Sequence, residues 1–264
     1  WMHQMIAAHA ETAKASGARI VFSCGFDSIP FDLGVLFLQQ TAVQQLGAMV
    51  PRVKGRVRSM KGTFSGGTLA SFRATMAAAG KDRQLINVLR NPFALCDGFV
   101  GAEQPLGNKP EFDESLQSWV APFVMASINT KNIHRSNALL GHAYGTDFVY
   151  DEMLVTGPGE RGEAVAKAVT DDNSMATDPT QPGEGPSLEE RVNGNYDVLL
   201  IGEAADGRVA GHERHFGLVQ RDQQCDAPHA CRRQRRLASG VSAANDYHFV
   251  TFHGLNAQVQ LNQI

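Results

Sequence analysis

The stretch SCGFDSIPFDLG, residues 23–34, joins two segments of different character. The run before it, ARIVFSC (residues 18–24), is apolar and β-prone, which is typical of a buried parallel strand. The apolar run after it predicts a helix that extends to about Gln45 and ends at Gly47. A further helix is predicted over residues 1–15. The order helix, strand, helix is that of one unit of a doubly wound α/β sheet.

The turn between this strand and this helix has two interpretations. In open α/β sheets, ligands bind where a strand ends and a helix begins, because the helix start offers N–H groups and a partial positive charge. Asp27 and Ser28 would then face a bound cofactor or substrate. The structural interpretation is that one of them caps the helix, that Gly25 permits the turn, and that Pro30 occupies the first helical turn. On local sequence alone, the structural interpretation is the more frequent one.

A second glycine turn repeats this logic in FSGGTLAS, residues 64–71. Gly66 and Gly67 would let the backbone approach a ligand, and Ser65 and Thr68 bring hydroxyl groups to a helix N-terminus. The signal is weak, because a glycine pair before a helix is common. The phosphate-binding pattern GxxxxGK[ST] is absent from the sequence.

A third polar group lies in NTKNIHRSN, residues 129–137. Arg135 could pair with an anionic group, and Asn137 lies two residues further along the chain. A solvated helix end explains most of these residues equally well. His134 has no partner visible in the sequence and does not by itself indicate general-base catalysis.

Composition sets limits on the class of protein. The chain has 264 residues, 43% of them hydrophobic and 19% charged, which predicts a packed core. A net charge of −3 gives no overall attraction to nucleic acid. The four cysteines show neither paired metal-ligand spacing nor a disulfide framework, so we expect a reducing, cytoplasmic setting and no metal site. GHERHF (211–216) is one residue short of the zinc pattern HExxH, and the basic run CRRQRR (231–236) is typical of a solvated or disordered segment.

The rest of the chain predicts an α/β unit followed by an α+β domain. The expected elements are a strand over 51–60, a helix from the glycine pair to Gly80, an irregular region over 85–115, one long helix over 118–141, a strand over 148–157, a helix over 160–176, a loop over 177–187 and two strands around a turn at Asp206 and Gly207. The predicted domains are 1–46, 47–207 and an atypical, poorly packed tail, 208–264.

Five stretches in order resemble the saccharopine dehydrogenase-like oxidoreductases, in particular their trans-acting enoyl reductase branch. They are IVFSCGFDSIPFDLG, GTFSGGTLAS, WVAPFVMASINTKNIHRSNALLG, YGTDFVYDE and PGEGPSLEERVNG, which together cover most of residues 1–207. The resemblance implies that residues 1–46 are the last unit of a Rossmann domain and that residues 47–207 form a domain for substrate and dimerisation.

The resemblance also implies a reaction and a set of cleft residues. The reaction would be an NADP- or NAD-dependent reduction, in this branch of a carbon–carbon double bond on a lipid or polyketide chain. The turn at Gly25–Pro30 would line the cleft near the nicotinamide, although no catalytic acid can be assigned to one residue. The candidate cleft residues are Gly25, Phe26, Asp27, Ser28, Ser65, Gly66, Gly67, Thr68, Arg135 and Asn137.

The sequence departs from the family pattern in two ways. A GxGxxG nucleotide loop is absent from the sequence, so we expect a truncated member that is inactive alone, with its cofactor site largely missing.

The alternative function is a non-catalytic binding or dimerisation module that uses only the second domain. Expected partners are a lipid or other small-molecule substrate, a second copy of the chain and a membrane surface bound peripherally, but no nucleic acid.

The second departure is residues 208–264, which do not match the family and whose pattern suggests a frame-shifted reading. Apolar residues are scattered there at neither strand nor helix period, and four arginines within 232–236 resist burial. We therefore expect no packed core in this segment.

Overall fold

The computed structural model describes residues 1–25 and 27–211, in which six strands form one mixed sheet. The strands are β1 (Arg52–Lys61), β2 (Glu111–Asp113), β3 (Ser118–Pro122), β4 (Val149–Gly157), β5 (Asn195–Glu203) and β6 (Val209–Gly211). Their order across the sheet is β2-β3-β4-β1-β5-β6. The pair β1–β4 is parallel and the other four pairs are antiparallel.

Eight helices accompany this sheet in the part of the chain that the structure describes. They are α1 (Met2–Ser16), α2 (Ile29–Leu46), α3 (Gly66–Lys81), α4 (Arg83–Arg90), α5 (Ala126–Leu139), α6 (Gly159–Asp171), α7 (Ser174–Thr177) and α8 (Leu188–Val192). Helices α2 and α5 pack against each other, and both contact the sheet. The core between them holds Phe31 and Val35 of α2, Ile133 of α5, and Val53 and Val57 of β1, all at most 1% exposed. None of the described helices is long and apolar enough to cross a membrane.

The opposite face of β1 is charged, because successive side chains of a strand point to opposite sides of the sheet. We call this surface the charged face; it carries Arg52, Lys54, Arg56 and Arg58. Their carboxylate partners lie on β2, β4 and β5 and are Asp113, Asp151, Asp197 and Glu203.

Several predicted elements are confirmed. Gly17 and Gly47 end α1 and α2 with φ angles of 72° and 85°, a left-handed conformation that glycine adopts without strain. The strand predicted over 51–60 is β1, and the two strands around Asp206 and Gly207 are the antiparallel pair β5–β6. The α/β class is confirmed by this mixed sheet and its helices. Because α2 shares its core with α5 and β5, the division at residue 46 stays a prediction.

The predicted strand over residues 18–24 is wrong. The structure has no regular secondary structure there, and Ile20 and Val21 are 57% and 73% exposed. A strand is stable only when a neighbour satisfies its backbone N–H and C=O groups. None of the six described strands pairs with this segment, so its backbone has no such neighbour.

The single helix predicted over residues 118–141 is also wrong. Residues Ser118–Pro122 form β3, which pairs with β4, and the helix begins only at Ala126. Val120 and Ala121 are fully buried by this pairing, so tertiary contacts outweigh the local helical pattern. The region 85–115, expected to be irregular, contains most of α4 and all of β2. Residues 212–264, which make up most of the predicted tail, lie outside the described residues.

Candidate functional site

The turn that precedes α2 is fastened to α5 through Ser28. Ser28 occupies the N-cap position of α2, yet its side chain makes no capping hydrogen bond. Its hydroxyl instead donates to Oδ1 of Asn129 over 2.8 Å, and the residue is only 5% exposed. The backbone N–H groups of Ser28 and Ile29 both donate to the carbonyl oxygen of Gly25. The interpretation that the Ser28 side chain caps the helix is therefore wrong.

Asp27 lies beside Gly25 in this turn. A Cβ added to Gly25 would come within 2.5 Å of the Asp27 carboxylate oxygen Oδ1, so a larger residue at that position would displace the Asp27 side chain. Asp27 is partly exposed. The functional interpretation, in which its carboxylate faces a ligand, stays a prediction. Phe26, the residue between them and another candidate, lies outside the described residues.

Asn129 is the centre of a buried polar group behind the turn. Its Nδ2 donates both to the carbonyl oxygen of Asp27 and to Oε2 of Glu152, each over 2.9 Å. The hydroxyl of Tyr150 donates to the other carboxyl oxygen of Glu152 over 2.8 Å. We call Ser28, Asn129, Tyr150, Glu152 and Tyr196 the Asn129 cluster; each of its members is at most 5% exposed.

Burial strongly changes the acidity of Glu152. The carboxyl group is 1% exposed, and burial raises its pKa from 4.5 to about 8, against the opposing effect of the hydrogen bonds from Asn129 and Tyr150. Burial also raises the pKa of the Tyr150 hydroxyl well above its usual value, and the neighbouring Glu152 raises it further. At neutral pH the cluster therefore holds a protonated carboxyl group, which Asn129 connects by hydrogen bonds to the backbone of Asp27.

Tyr196 of β5 completes the cluster. Burial raises the pKa of its hydroxyl, and the carboxyl groups of Glu152 and Asp27 raise it further. Its ring meets that of Phe31 edge-on, with centroids 6.0 Å apart. Glu152, Tyr150 and Tyr196 thus form a set of buried ionisable groups beside the partly exposed Asp27, and ionisable groups with shifted pKa values are frequent at functional sites.

A glycine on β1 makes room for this set. Gly55 lies opposite Glu152 in the parallel β1–β4 register. A Cβ added to Gly55 would meet the Tyr150 hydroxyl at 2.8 Å and Cγ of Glu152 at 3.1 Å. Any larger residue at this position would push the two acidic side chains aside.

The second glycine turn is occupied by protein. Ser65 caps α3 by accepting a hydrogen bond from the N–H of Thr68, and the N–H of Gly66 donates to the carbonyl oxygen of Glu184. A Cβ added to Gly66 would come within 1.8 Å of the carbonyl oxygen of Gln181, which is backbone and cannot yield. The close approach that Gly66 permits is therefore to the loop at 181–184. The space beside Gly67 is more open, with only Oγ of Ser65 nearby, at 3.8 Å.

Arg135 and Asn137 hold neighbouring loops. Arg135 donates from Nη1 to the carbonyl oxygen of Leu95 over 2.8 Å. Asn137 is 3% exposed, donates to the carbonyl oxygen of Gly145 and accepts from the N–H of Tyr144. The structure thus brings Gly25, Asp27 and Ser28 together at one place. It places the other described candidates in three further settings, and a role for any candidate in ligand binding stays a prediction.

His134 is a core histidine. It is 3% exposed and lies against the rings of Phe93 and Phe148, with its Nε2 3.1 Å from Oε1 of Gln104. Burial lowers its pKa to about 4, and the positive charge of Lys131 contributes to this effect. It is therefore neutral at physiological pH.

An apolar cavity of about 370 Å³ opens between the start of α1 and the end of α4. It is lined chiefly by Val88, Phe93, Ala94, Phe99 and Val100. None of the predicted cleft residues lines it. Within residues 1–25 and 27–211, no three His, Cys, Asp or Glu side chains are grouped so that they could hold a metal ion.

The two glycine turns do not fit the diphosphate of a nicotinamide dinucleotide. A helix N-terminus binds an anion through N–H groups that have no other partner. In α2, the N–H groups of Phe31 and Asp32 donate to the carbonyl oxygen of Ser28, and Pro30 has no N–H. In α3, those of Gly66 and Thr68 are used as described above. Neither helix start therefore offers a row of unused donors.

Comparison with known proteins finds relatives of one kind. A protein of Mycobacterium tuberculosis named as a candidate trans-acting enoyl reductase is 38% identical over 166 residues, which cover 60% of this chain and 39% of the relative. The trans-acting enoyl reductases of Mycobacterium ulcerans and Mycobacterium bovis are 30% and 31% identical over 211 residues, which cover 70% of this chain and 50% of each relative. No family model matches the chain, and the comparison with solved structures finds no match. The matched part of the chain thus spans half or less of the length of these curated relatives, which are named trans-acting enoyl reductases.

Proposed function

We propose that this chain is part of an enoyl reductase that acts in trans, reducing a carbon–carbon double bond of a lipid or polyketide chain with NADPH or NADH. The observation that carries the proposal is the 30–38% identity to proteins named trans-acting enoyl reductase, over 60–70% of this chain. The nicotinamide supplies the two electrons of such a reduction. Membership of the wider saccharopine dehydrogenase-like family, a cytoplasmic location, a homodimer and peripheral contact with lipid are further parts of the proposal.

The geometry of the Asn129 cluster also supports this proposal. Reduction of a double bond next to a carbonyl group requires a proton as well as electrons, and it proceeds best on a substrate held in one orientation. Behind the Asp27 turn, the cluster provides a carboxyl group that keeps its proton at neutral pH; because it is only 1% exposed, it would act on the substrate through the turn and not as the proton donor. The turn itself is fixed by two hydrogen bonds to the buried Asn129.

The cofactor would need residues beyond those described. Because neither helix start offers unused donors, we propose that the diphosphate of the dinucleotide binds outside residues 1–25 and 27–211. Among the candidate residues, we assign Asp27 and Ser28 to the substrate side of the cleft, because their turn is bound to the Asn129 cluster.

We expect the chain alone to bind NADPH very weakly, because its two glycine turns provide no cradle for the diphosphate. The measurement is a titration in which the nicotinamide fluorescence of NADPH is followed as the purified 264-residue chain is added. The Mycobacterium bovis trans-acting enoyl reductase serves as the full-length reference. Saturable binding by the chain with a dissociation constant near about 1 μM, a strength typical of a formed site, would show that a diphosphate site has been overlooked.

A chimera tests the activity itself. The matching stretch of the Mycobacterium bovis relative is replaced by the corresponding residues of this chain, and oxidation of NADPH is followed with an α,β-unsaturated acyl thioester of N-acetylcysteamine. We expect the chimera to saturate the double bond, with the reduced thioester identified by mass spectrometry. A folded chimera that binds NADPH but yields no reduced product would favour the alternative, a non-catalytic binding or dimerisation module.

A further inference from the structure

We propose that Asn129 is a positioning residue that sets the place of the Asp27–Ser28 turn against the sheet. The proposal rests on the proposed function, in which this turn lines the substrate side of the cleft. Asn129 is 1% exposed and so cannot itself meet a substrate. Its effect on the reaction would be transmitted through the two residues that it holds.

The three hydrogen bonds of the Asn129 side chain are directed at two elements, the turn before α2 and strand β4. The oxygen Oδ1 accepts from the hydroxyl of Ser28, and Nδ2 donates to the backbone carbonyl of Asp27 and to the carboxyl group of Glu152. A backbone carbonyl can only accept, so the amide nitrogen must face Asp27, and the side chain has a single workable orientation. The turn is thereby held at its backbone as well as at a side chain.

The residue that anchors Asn129 belongs to an inner strand of the sheet. Glu152 lies in the middle of β4, and its second carboxyl oxygen accepts from Tyr150 of the same strand. Both side chains fill the space left by Gly55 on the parallel neighbour β1. A displacement of Asn129 would therefore break its hydrogen bond to Glu152, which the central strand pair holds in place, whereas the turn has no regular secondary structure of its own. The coupling runs from the sheet to the turn.

Helix α5 offers a matched control at Ser136. Its hydroxyl donates to Oδ2 of Asp32 in α2 over 2.9 Å, a second hydrogen bond between the two helices, seven residues beyond Asn129 and away from the turn. Ser136→Ala removes one hydrogen bond between α5 and α2 and leaves the contacts of Asn129 intact. A loss of general stability should appear in both variants, and a loss of turn position only in Asn129→Ala.

The first arm of the test needs no enzymatic activity. Amide hydrogen exchange is measured at Ser28 and Ile29, whose N–H groups close the turn on Gly25. After correction for global stability, we expect Asn129→Ala to exchange about tenfold faster at these two sites, since both anchors of the turn are lost. Ser28→Ala loses only one of the two hydrogen bonds between Asn129 and the turn, and it serves as the milder variant if Asn129→Ala does not fold. Its exchange rate at Ile29 and at the substituted position should increase less. Exchange no faster than in Ser136→Ala would overturn the proposal.

The second arm uses the chimera defined above, carrying the same substitutions. We expect Asn129→Ala to lower kcat by about tenfold or more with little change in the KM for the thioester, since a misplaced turn affects orientation more than capture. Ser136→Ala should keep the kcat of the parent chimera. A normal kcat in Asn129→Ala would overturn the proposal while the proposed function stands. An inactive parent chimera would count against the function, and the exchange arm would still decide whether Asn129 positions the turn.

Discussion

Replacing Glu152 with glutamine is expected to remove most of the loss of stability that the chain suffers between mildly acidic and mildly alkaline pH. Burial holds the pKa of this carboxyl group at about 8 in the folded protein, against an ordinary value of 4.5. Glutamine has nearly the same shape, cannot ionise, and can still accept the hydrogen bond from Nδ2 of Asn129. The variant therefore tests the charge of Glu152 with little change in packing.

The direction follows from proton binding. Below about pH 4.5 the carboxyl group carries its proton in both the folded and the unfolded chain, and the stabilisation is complete. As the pH rises towards 8 the unfolded chain releases this proton while the folded chain keeps it, so the free energy of unfolding falls. Between the pKa values of 4.5 and about 8, the loss is on the order of 5 kcal/mol and is complete above pH 8.

Urea unfolding of the parent and of Glu152→Gln at about pH 5 and about pH 8 measures this difference. The parent should lose several kcal/mol more than the variant, which should be the more stable of the two at the higher pH. Glu11→Gln, on the exposed surface of α1, is the control and should keep the pH slope of the parent. Parallel slopes for the parent and Glu152→Gln would show that this carboxyl group ionises normally in the folded chain.

Local signals in the sequence predict those parts of the fold that local interactions decide. Gly17 and Gly47 mark helix ends because the left-handed conformation at these positions favours glycine whatever surrounds it. The segment 18–24 is the opposite case, since its β-prone residues need a strand beside them that the described residues do not supply. Ser118–Pro122 reads as the start of a helix and becomes β3 because β4 is available to pair with it. Strand pairing is a property of distant residues, which a local pattern does not contain.

The residues of the candidate site are likewise only in part predictable from the sequence. The sequence locates the turn at Asp27 and Ser28, because a glycine and a helix start are visible side by side. It does not identify Glu152 or Tyr196. Their place in the site depends on the room that the missing side chain of Gly55 leaves and on Asn129, which is distant in the sequence. One signal was available: an acidic pair at 151–152 within the apolar strand 148–157 is costly to bury, and at least one member of such a pair must have a dedicated partner.

Loss of the Arg56 side chain is the other change with a large expected effect, because it removes the cation that two buried carboxylates share and leaves them only Arg52 and, 3.9 Å from Asp113, Lys54. Arg56 is 1% exposed on the charged face and lies between Asp113 and Asp151, with N–O distances of 2.7 and 2.8 Å. The side chains of the two acids are 2% and 4% exposed. Removing one partner of a buried ion pair costs about 3–5 kcal/mol, and Arg52, which also pairs with Asp151, moderates the loss here. We expect Arg56→Met to lower the free energy of unfolding by about 3 kcal/mol.

The neighbouring arginine on the same face separates burial from charge. Arg58 pairs with Asp197 over 2.8 Å, but their side chains are 29% and 24% exposed, so water screens the charges and Arg58→Met should cost less than about 1 kcal/mol. Adding Asp113→Asn to Arg56→Met should restore part of the lost stability, because it removes a buried carboxylate whose only remaining cation, Lys54, is 3.9 Å away, and it keeps an oxygen for the N–H of Ser115. Urea unfolding of the two single variants and the double variant completes the comparison. Equal losses for Arg56→Met and Arg58→Met, or a double variant weaker than Arg56→Met alone, would show that the charged face does not depend on its buried centre.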